Sequence, residues 1–165
     1  MRNSVLPIIL LFVLFTGVRC MKSNSGNCSP KTVASEAPQI QAYAASNGIS
    51  AIAHTSGLYY EIVDPGTGAT PTLNSKIVIT YTGALLDGTI FDQKTTPNNE
   101  ASGPNSPWPL SDLIEGWRIG IPLIKAGGRI KLIVPSAMAY GCTGYGGIPG
   151  NAILFFDINL INVVP

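Results

Sequence analysis

Side chains able to do nucleophilic, acid–base or metal chemistry are scarce in this sequence. Among 165 residues there are three cysteines, Cys20, Cys28 and Cys142, and one histidine, His54. No two cysteines have the C-x-x-C spacing of a zinc site, and His54 has no acidic residue or second histidine nearby. These patterns argue against zinc chemistry and against a Ser-His-Asp or Cys-His apparatus. We therefore expect His54 to be an ordinary surface residue, and we expect no metal or cofactor.

The remaining candidates for a site are aromatic and aliphatic, and the densest group of them is residues 113–117. Leu113, Trp117 and Ile121 recur every four residues, so one or two turns of helix would place them on one stripe. Gly116 removes bulk beside the indole, which lets the helix lie close to a strand layer. A tryptophan buries on the order of 200 Å², more than so short a helix can hide unless a concave sheet receives it. Trp117 is therefore either a plain core residue or the floor of a pocket.

A predicted hairpin places further candidates together. Ile77, Ile79 and Tyr81 alternate on one face of a strand. Asp87-Gly88 predicts a two-residue type I′ turn, after which residues 90–92 should return antiparallel. This pairing brings Tyr81, Phe91 and Asp92 into one neighbourhood.

The rest of the chain is typical of an antiparallel β-rich domain. Strands are predicted at residues 57–63, 129–134 and 152–164, with a long polar surface loop at residues 93–107. The glycine-rich residues 140–149 lack the lysine of a phosphate-binding loop and lead into a strand, so we expect no phosphate site there. The net charge of +1 provides no basic field, so nucleic acid is not expected as a partner.

The start of the chain is typical of an export signal. Residues 1–20 contain an apolar segment, residues 5–15, shorter than the ~20 residues of a membrane-spanning helix. Cys20 resembles the acceptor cysteine of a bacterial lipoprotein, although Arg19 replaces the small residue usual before it. Lipidation of Cys20, ordinary cleavage with secretion, and a retained signal anchor are the alternatives.

A polar tether and a short helix are predicted next. Residues 21–34 form the tether, and Ser35 caps a helix that ends at Asn47 and Gly48. This helix is either a spacer packed loosely on the domain or a dimerisation or client-contact element. Because Cys28 lies in the tether, a disulfide between Cys28 and Cys142 is not expected.

Five motifs follow one another in the second part of the chain: YTGALLDGTIFD (residues 81–92), IEGW (114–117), IVP with AYG (133–135 and 139–141), IP (148–149) and LFFD (154–157). In this order they resemble the FKBP family of peptidyl-prolyl isomerases over residues 57–164. The resemblance implies an α+β fold, a strongly curved antiparallel sheet of about five strands wrapped around one short helix, with an apolar pocket between them. Residues 57–165 would form this domain, after the signal (1–20) and the tether with its helix (21–56).

The resemblance also implies which residues line the pocket. By position, the catalytic set is Tyr81, Phe91, Asp92, Trp117, Tyr140 and Phe156, and the substrate-binding set is Trp108, Leu110, Leu113, Ile114, Tyr145 and Ile148. Trp108 and Leu110 stand where the family commonly has two phenylalanines, and Met138 stands where a larger aromatic is common. One wall of the pocket therefore departs from the family pattern.

Prolyl isomerisation suits a site without a nucleophile or metal, because its barrier of ~18–20 kcal/mol is the loss of C–N conjugation. The Ile114 N–H or the Tyr140 hydroxyl can hold a substrate carbonyl, and Asp92, expected within reach of the Tyr140 hydroxyl, can orient polar groups. We expect a peptidyl-prolyl isomerase for exported polypeptides; the alternative is a non-catalytic proline-peptide binding or chaperone module. Expected partners are proline-containing clients, macrolide-type inhibitors and, through an acylated Cys20, a bacterial membrane facing the periplasm or cell surface.

Overall fold

The computed structural model describes residues 28–165. The predicted export signal, Cys20 and the first part of the predicted tether lie outside these residues. In chain order the elements are α1 (Val33–Ser46), β1 (Ile52–Ala53), β2 (Tyr59–Asp64), β3 (Lys76–Leu85), β4 (Ile90–Lys94), β5 (Trp108–Pro109), α2 (Glu115–Gly120), β6 (Arg129–Val134) and β7 (Leu154–Val164). Short 3₁₀ turns lie at Leu110–Asp112, Ile121–Leu123 and Ser136–Met138. Neither of these α-helices is both long and apolar enough to cross a membrane.

The strands form one open, curved antiparallel sheet in the order β1-β2-β6-β7-β3-β4, with β5 also paired to β3. The α+β prediction is confirmed. Five strands have five or more residues, and β1 and β5, of two residues each, raise the count within residues 28–165 to seven. β3 and β7 are the longest, and they pair from Lys76 opposite Val164 to Leu85 opposite Leu154.

Helix α2 packs tightly against the sheet because two of its residues have no side chain. A Cβ atom on Gly116 would lie 2.5 Å from Val134 Cγ1, and one on Gly120 would lie 2.6 Å from Leu132 Cδ2. Trp117 is 4% exposed and Ile121 is fully buried in the main core. The close approach predicted at Gly116 is therefore confirmed, although Ile121 follows the helix instead of lying in it.

The edge of β3 opposite β7 is shared by two strands and one side chain. β5 pairs with Lys76 and Ile77, and β4 pairs with residues 81–84. Between them, Asn98 Oδ1 accepts a hydrogen bond of 2.7 Å from the Ile79 N–H, and Asn98 Nδ2 donates to the Ile77 carbonyl at 3.0 Å. Asn98 is fully buried. The prediction that the whole of residues 93–107 is a surface loop is therefore wrong at two places. Gln93 and Lys94 belong to β4, and the buried Asn98 side chain bonds the part of the β3 edge that neither β4 nor β5 covers.

The β3–β4 hairpin is wider than predicted. Leu85 N donates to Thr89 O at 2.9 Å and Gly88 N donates to Leu85 O at 3.0 Å, so residues 86–88 form a three-residue loop. A type I′ turn requires a positive φ at both of its central residues. Gly88 has φ +89°, but the φ of Asp87 is not positive. The antiparallel pairing is confirmed, whereas the type I′ turn is wrong.

Helix α1 begins earlier and packs more firmly than predicted. Its N-cap is Thr32, whose side-chain oxygen accepts from the Ser35 N–H at 3.2 Å, so Ser35 lies inside the helix. Ile40 is fully buried and Ala44 is 6% exposed, in a second core cluster with Ile133 of β6. A loosely packed spacer is therefore the wrong description of this helix.

The segment before α1 is bonded to the connection between β6 and β7. Cys28 and Cys142 form a disulfide with Cα atoms 5.4 Å apart, so the expectation that they stay unpaired is wrong. Beside it, Asn151 Oδ1 accepts from the Lys31 N–H at 3.2 Å and Asn151 Nδ2 donates to the Ser29 carbonyl at 3.1 Å. Residues 28–32 therefore lie on the domain, and the prediction of a free tether is wrong for them.

Candidate active site

An aromatic cleft of about 280 Å³ opens between α2 and the sheet. Its lining is supplied by β3, β4, β5, α2, β7 and the turns before α2 and after β6. The lining residues are Tyr81, Phe91, Asp92, Trp108, Leu113, Ile114, Trp117, Tyr140 and Phe156. The structure thus brings together nine of the twelve candidate residues.

A β-bulge explains how two consecutive residues line the cleft. Side chains of a regular strand alternate between faces, so Phe91 and Asp92 could not both point the same way. In the β3–β4 pair, Gly83 lies opposite Asp92 and Ala84 lies opposite Ile90, which leaves Phe91 as the extra residue. Such a bulge re-aims a side chain. The sequence pattern placed both residues near Tyr81 but did not predict the bulge.

The aromatic rings contact one another edge to face. The Trp117 ring lies 5.0 Å from Tyr81 at 85° and 5.1 Å from Phe156 at 84°, measured between centroids and planes. Phe91 meets Phe156 at 5.7 Å and 89°. This geometry is the favourable arrangement of aromatic quadrupoles. A Cβ atom on Gly83 would lie 2.9 Å from both Phe91 and Phe156, so any larger residue there would displace these rings.

Asp92 is the acidic group of the cleft, and its partner is Tyr81. The Tyr81 hydroxyl donates a hydrogen bond to Asp92 Oδ2. Burial first, and then this bond to Asp92, raise the pKa of Tyr81. Burial also raises the pKa of Tyr140, with a smaller contribution from the negative charge of Asp92. Within residues 28–165, Asp92 accepts its hydrogen bond from Tyr81 and none from the Tyr140 hydroxyl, so the expected bond to Tyr140 is not formed.

Two hydrogen-bond donors on the cleft are available to a ligand. The Tyr140 hydroxyl is one, and the N–H of Ile114 is the other. The Ile114 carbonyl accepts from Trp117 N and Arg118 N at the start of α2, but its own N–H is not a donor in the backbone hydrogen bonds of residues 28–165. At the floor, the Trp117 Nε1 is buried without a hydrogen-bond partner in the described part of the chain.

Three candidate residues lie away from the cleft. Leu110 is fully buried in the main core, so it supports the wall near Trp108 from behind instead of lining it. Tyr145 and Ile148 line an adjoining groove of about 260 Å³ that shares Phe91, Asp92 and Tyr140 with the cleft. Tyr145 is 71% exposed and its ring stacks on Tyr140 at 5.4 Å and 15°.

The cleft has the chemistry of a binding pocket. Among the described residues no three His, Cys, Asp or Glu side chains lie together as a metal site would need. Its aromatic walls can hold a compact apolar ring, and its two free donors can hold a carbonyl oxygen.

Comparison with known proteins agrees with this geometry. A model of the family described as FKBP-type peptidyl-prolyl cis-trans isomerase matches residues 68–161. The FKBP-type peptidyl-prolyl cis-trans isomerase FkpA of Escherichia coli (strain K12) is 40% identical over 111 residues, which cover 67% of this chain and 39% of that protein. The Outer membrane protein MIP of Legionella longbeachae is 40% identical over 109 residues, which cover 66% of this chain and 45% of that protein.

The crystal structure of a peptidyl-prolyl cis-trans isomerase from Pseudomonas syringae pv. tomato superposes with a TM-score of 0.65 at 28% identity, covering 83% of this chain and 99% of that one. The chain spans less than half the length of the two curated relatives. The family model nevertheless matches more than half of the chain. The protein therefore belongs to the family of FKBP-type peptidyl-prolyl cis-trans isomerases.

Proposed function

We propose that this protein accelerates the cis/trans isomerisation of X-Pro peptide bonds in exported polypeptides. The proposal depends on the cleft itself, which is lined by six aromatic residues and has two hydrogen-bond donors available to a ligand. Uncatalysed X-Pro isomerisation takes tens to hundreds of seconds, slow enough to limit folding. A catalyst of this step needs neither a nucleophile nor a metal, since no covalent bond is broken.

The walls of the cleft suit the rotating amide. Planar amides are strongly dipolar because of C–N conjugation, and rotation about the bond removes that conjugation. The twisted amide is less dipolar, so moving it from water to an apolar surround made by Tyr81, Phe91, Trp117 and Phe156 destabilises it less than the planar form. The barrier to rotation is thereby lower than in water. The pyrrolidine ring of proline would fit between the aromatic side chains that line the cleft, with the Trp117 indole as the floor.

The polar groups would hold the substrate while it rotates. The Ile114 N–H and the Tyr140 hydroxyl donate to carbonyl oxygens of the bound peptide and keep one side of the bond fixed. Asp92 holds the Tyr81 hydroxyl and thereby orients that ring, which meets Trp117 edge to face. Tyr145 and Ile148, in the adjoining groove, would contact the residues that flank the proline.

An isomerisation assay on the full chain tests the proposal. We expect it to accelerate cis-to-trans exchange of a short X-Pro peptide, and we expect Tyr140→Phe to weaken that acceleration. Tyr60→Phe is the matched control, because Tyr60 lies on β2 and does not line the cleft. A wild-type chain that suppresses client aggregation without accelerating the exchange would instead support the non-catalytic binding or chaperone alternative. A fragment beginning at Ser35 is unsuitable, since it lacks the cap at Thr32 and the disulfide at Cys28.

We propose that the protein is exported and anchored to a membrane through a lipid on Cys20. The apolar segment at residues 5–15 followed by Cys20 supports this, as does the name Outer membrane protein MIP of one relative. The Cys28–Cys142 disulfide supports export, because disulfides persist in oxidising compartments. Mass spectrometry of the mature N-terminus tests the anchor, and an unmodified Met1 in a soluble cytoplasmic fraction would contradict it.

Macrolide-type inhibitors are proposed as ligands of the same cleft. Trp108 forms one wall, with its Nε1 donating to the Pro104 carbonyl at 3.1 Å and its ring 6.1 Å from Tyr81. A macrolide that binds there should compete with an X-Pro peptide. Binding without competition would place the macrolide elsewhere.

A further inference from the structure

Glu36 is a buried acidic residue outside the part of the chain that matches the family model. It lies in the first turn of α1 and is 1% exposed. Its Oε2 accepts from the Ser136 N–H at 2.8 Å, and its Oε1 accepts from the Ser136 Oγ at 2.7 Å. Burying a carboxyl group is costly unless it is hydrogen-bonded, and both oxygens of Glu36 are bonded to one residue. Both hydrogen bonds that Glu36 accepts therefore join α1 to Ser136.

Residues 136–141 form the turn that carries Tyr140, called the Tyr140 turn below, and Ser136 is its first residue. It begins the 3₁₀ turn Ser136–Met138, and its carbonyl accepts from the Ala139 N–H at 3.1 Å and from the Gly141 N–H at 2.8 Å. Tyr140 lies between these two donors in the chain. A shift of Ser136 therefore moves the backbone N–H groups of the residues on either side of Tyr140.

We infer that Glu36 is a positioning residue for Tyr140. The inference rests on the proposed function for its effect on catalysis, because Tyr140 is one of the two donors that would hold the substrate. By fixing the amide and hydroxyl of Ser136, Glu36 sets where the Tyr140 hydroxyl lies over the cleft. Misplacing a substrate-holding group by about 1 Å can cost on the order of a hundredfold in rate. A partial shift of the Tyr140 turn should cost roughly a tenfold loss.

The rest of α1 remains held when the Glu36 contact is removed. Ile40 and Ala44 are buried against the second core cluster, and the Cys28–Cys142 disulfide fixes the segment before the helix. Glu36→Ala therefore acts on the turn more than on the docking of the helix. Ile40→Ala should act on the docking of the helix instead, because it leaves a cavity under α1 and does not alter the hydrogen bonds of Ser136.

The first experiment compares three variants of the full chain in the X-Pro exchange assay. We expect Glu36→Ala to lower kcat/KM about tenfold. Glu36→Gln should stay within about threefold of wild type, since a glutamine carbonyl can accept from the Ser136 N–H while its amide donates to the Ser136 Oγ. Ile40→Ala should lower the melting temperature and keep kcat/KM. An Ile40→Ala variant that loses as much activity as Glu36→Ala would overturn the inference, because any loosening of α1 would then suffice.

A double-mutant cycle asks whether Glu36 acts through Tyr140. In a Tyr140→Phe background, Glu36→Ala should cost little further activity, since the hydroxyl that it positions is already absent. Independent, multiplicative losses would overturn the inference. If Glu36→Ala does not fold, Ser136→Ala replaces it in the same cycle, because that variant removes only the hydroxyl bond.

Hydrogen exchange gives a readout that does not depend on isomerase activity. The Ala139 and Gly141 amides should exchange faster in Glu36→Ala and at the wild-type rate in Ile40→Ala. Unchanged protection in Glu36→Ala would overturn the positioning role even in an active enzyme. If the wild-type chain has no isomerase activity, the proposed function fails, and the exchange rates still decide whether Glu36 holds the Tyr140 turn.

Discussion

The hydrogen bond between Tyr81 and Asp92 should serve catalysis and stability in separable ways. We expect Asp92→Leu to lower kcat/KM for an X-Pro peptide by roughly ten- to a hundredfold. A hydrogen bond to a charged group is worth ~1.5–3 kcal/mol, and each 1.36 kcal/mol is about a factor of ten in rate. The loss has this size if the bond orients the Tyr81 ring in the transition state.

The effect of Asp92→Leu on the free energy of unfolding has a different physical cause. Tyr81 is 8% exposed, and without Asp92 its hydroxyl loses the hydrogen bond that it donates. We expect Asp92→Leu to lower the free energy of unfolding by about 1–3 kcal/mol. Replacing both partners by apolar groups can be nearly neutral, so adding Tyr81→Phe to Asp92→Leu should recover most of that stability. It should not recover activity, because the oriented polar pair is still missing.

Four proteins therefore test the reasoning: wild type, Asp92→Leu, Tyr81→Phe and the double variant. Urea unfolding gives stability, and the exchange assay gives kcat/KM. Asp92→Leu with full turnover would remove Asp92 from the site. Activity that recovers in parallel with stability in the double variant would refute a catalytic role and leave only a structural one.

Three further outcomes are expected. Trp117→Ala should lower the free energy of unfolding by about 3–5 kcal/mol. Trp117→Phe should lower it less, because it also removes the unpaired Nε1. A loss under about 1 kcal/mol for the alanine variant would contradict the buried position of the indole. Because the folded state raises the pKa of Tyr81, the folded protein keeps a proton that the unfolded chain loses above pH about 10, so stability should fall as pH rises beyond that value. Tyr81→Phe should flatten this alkaline decline, and an identical slope would show that another group causes it. Reducing the Cys28–Cys142 disulfide should lower the free energy of unfolding by about 2–4 kcal/mol, and equal urea midpoints with and without reductant would contradict the link.

The walls of the cleft could be predicted because their signals are local. Tyr81 and Phe156 occupy inward positions of long alternating strands, and Gly116 beside Trp117 signals a helix pressed on a sheet. A period-2 pattern and a missing side chain are each visible within a few residues. The hairpin pairing was visible for the same reason, but its bulge at Phe91 was not, since a bulge depends on the register of two strands.

The features that the sequence did not predict depend on contacts between distant segments. The disulfide joins residues 114 positions apart, and Glu36 bonds Ser136 from 100 positions away. A polar residue such as Asn98 is normally exposed, and nothing beside it in the chain shows that it bonds the free edge of β3. Leu110 was expected to line the cleft because of its position in the family pattern, and the structure buries it in the core instead. A position in the chain does not determine the direction in which a side chain points.

The Cys28–Cys142 disulfide closes a covalent ring that contains most of the domain. The exposed residues 100–103 lie within this ring, in a polar loop of the kind where proteases cut. A cut there would leave Asn98 with β3 and β4, while the disulfide would still join the two pieces. The nicked molecule should therefore migrate as one species without reductant and as two fragments with it. The domain could therefore remain in one piece after the chain is cut at this loop.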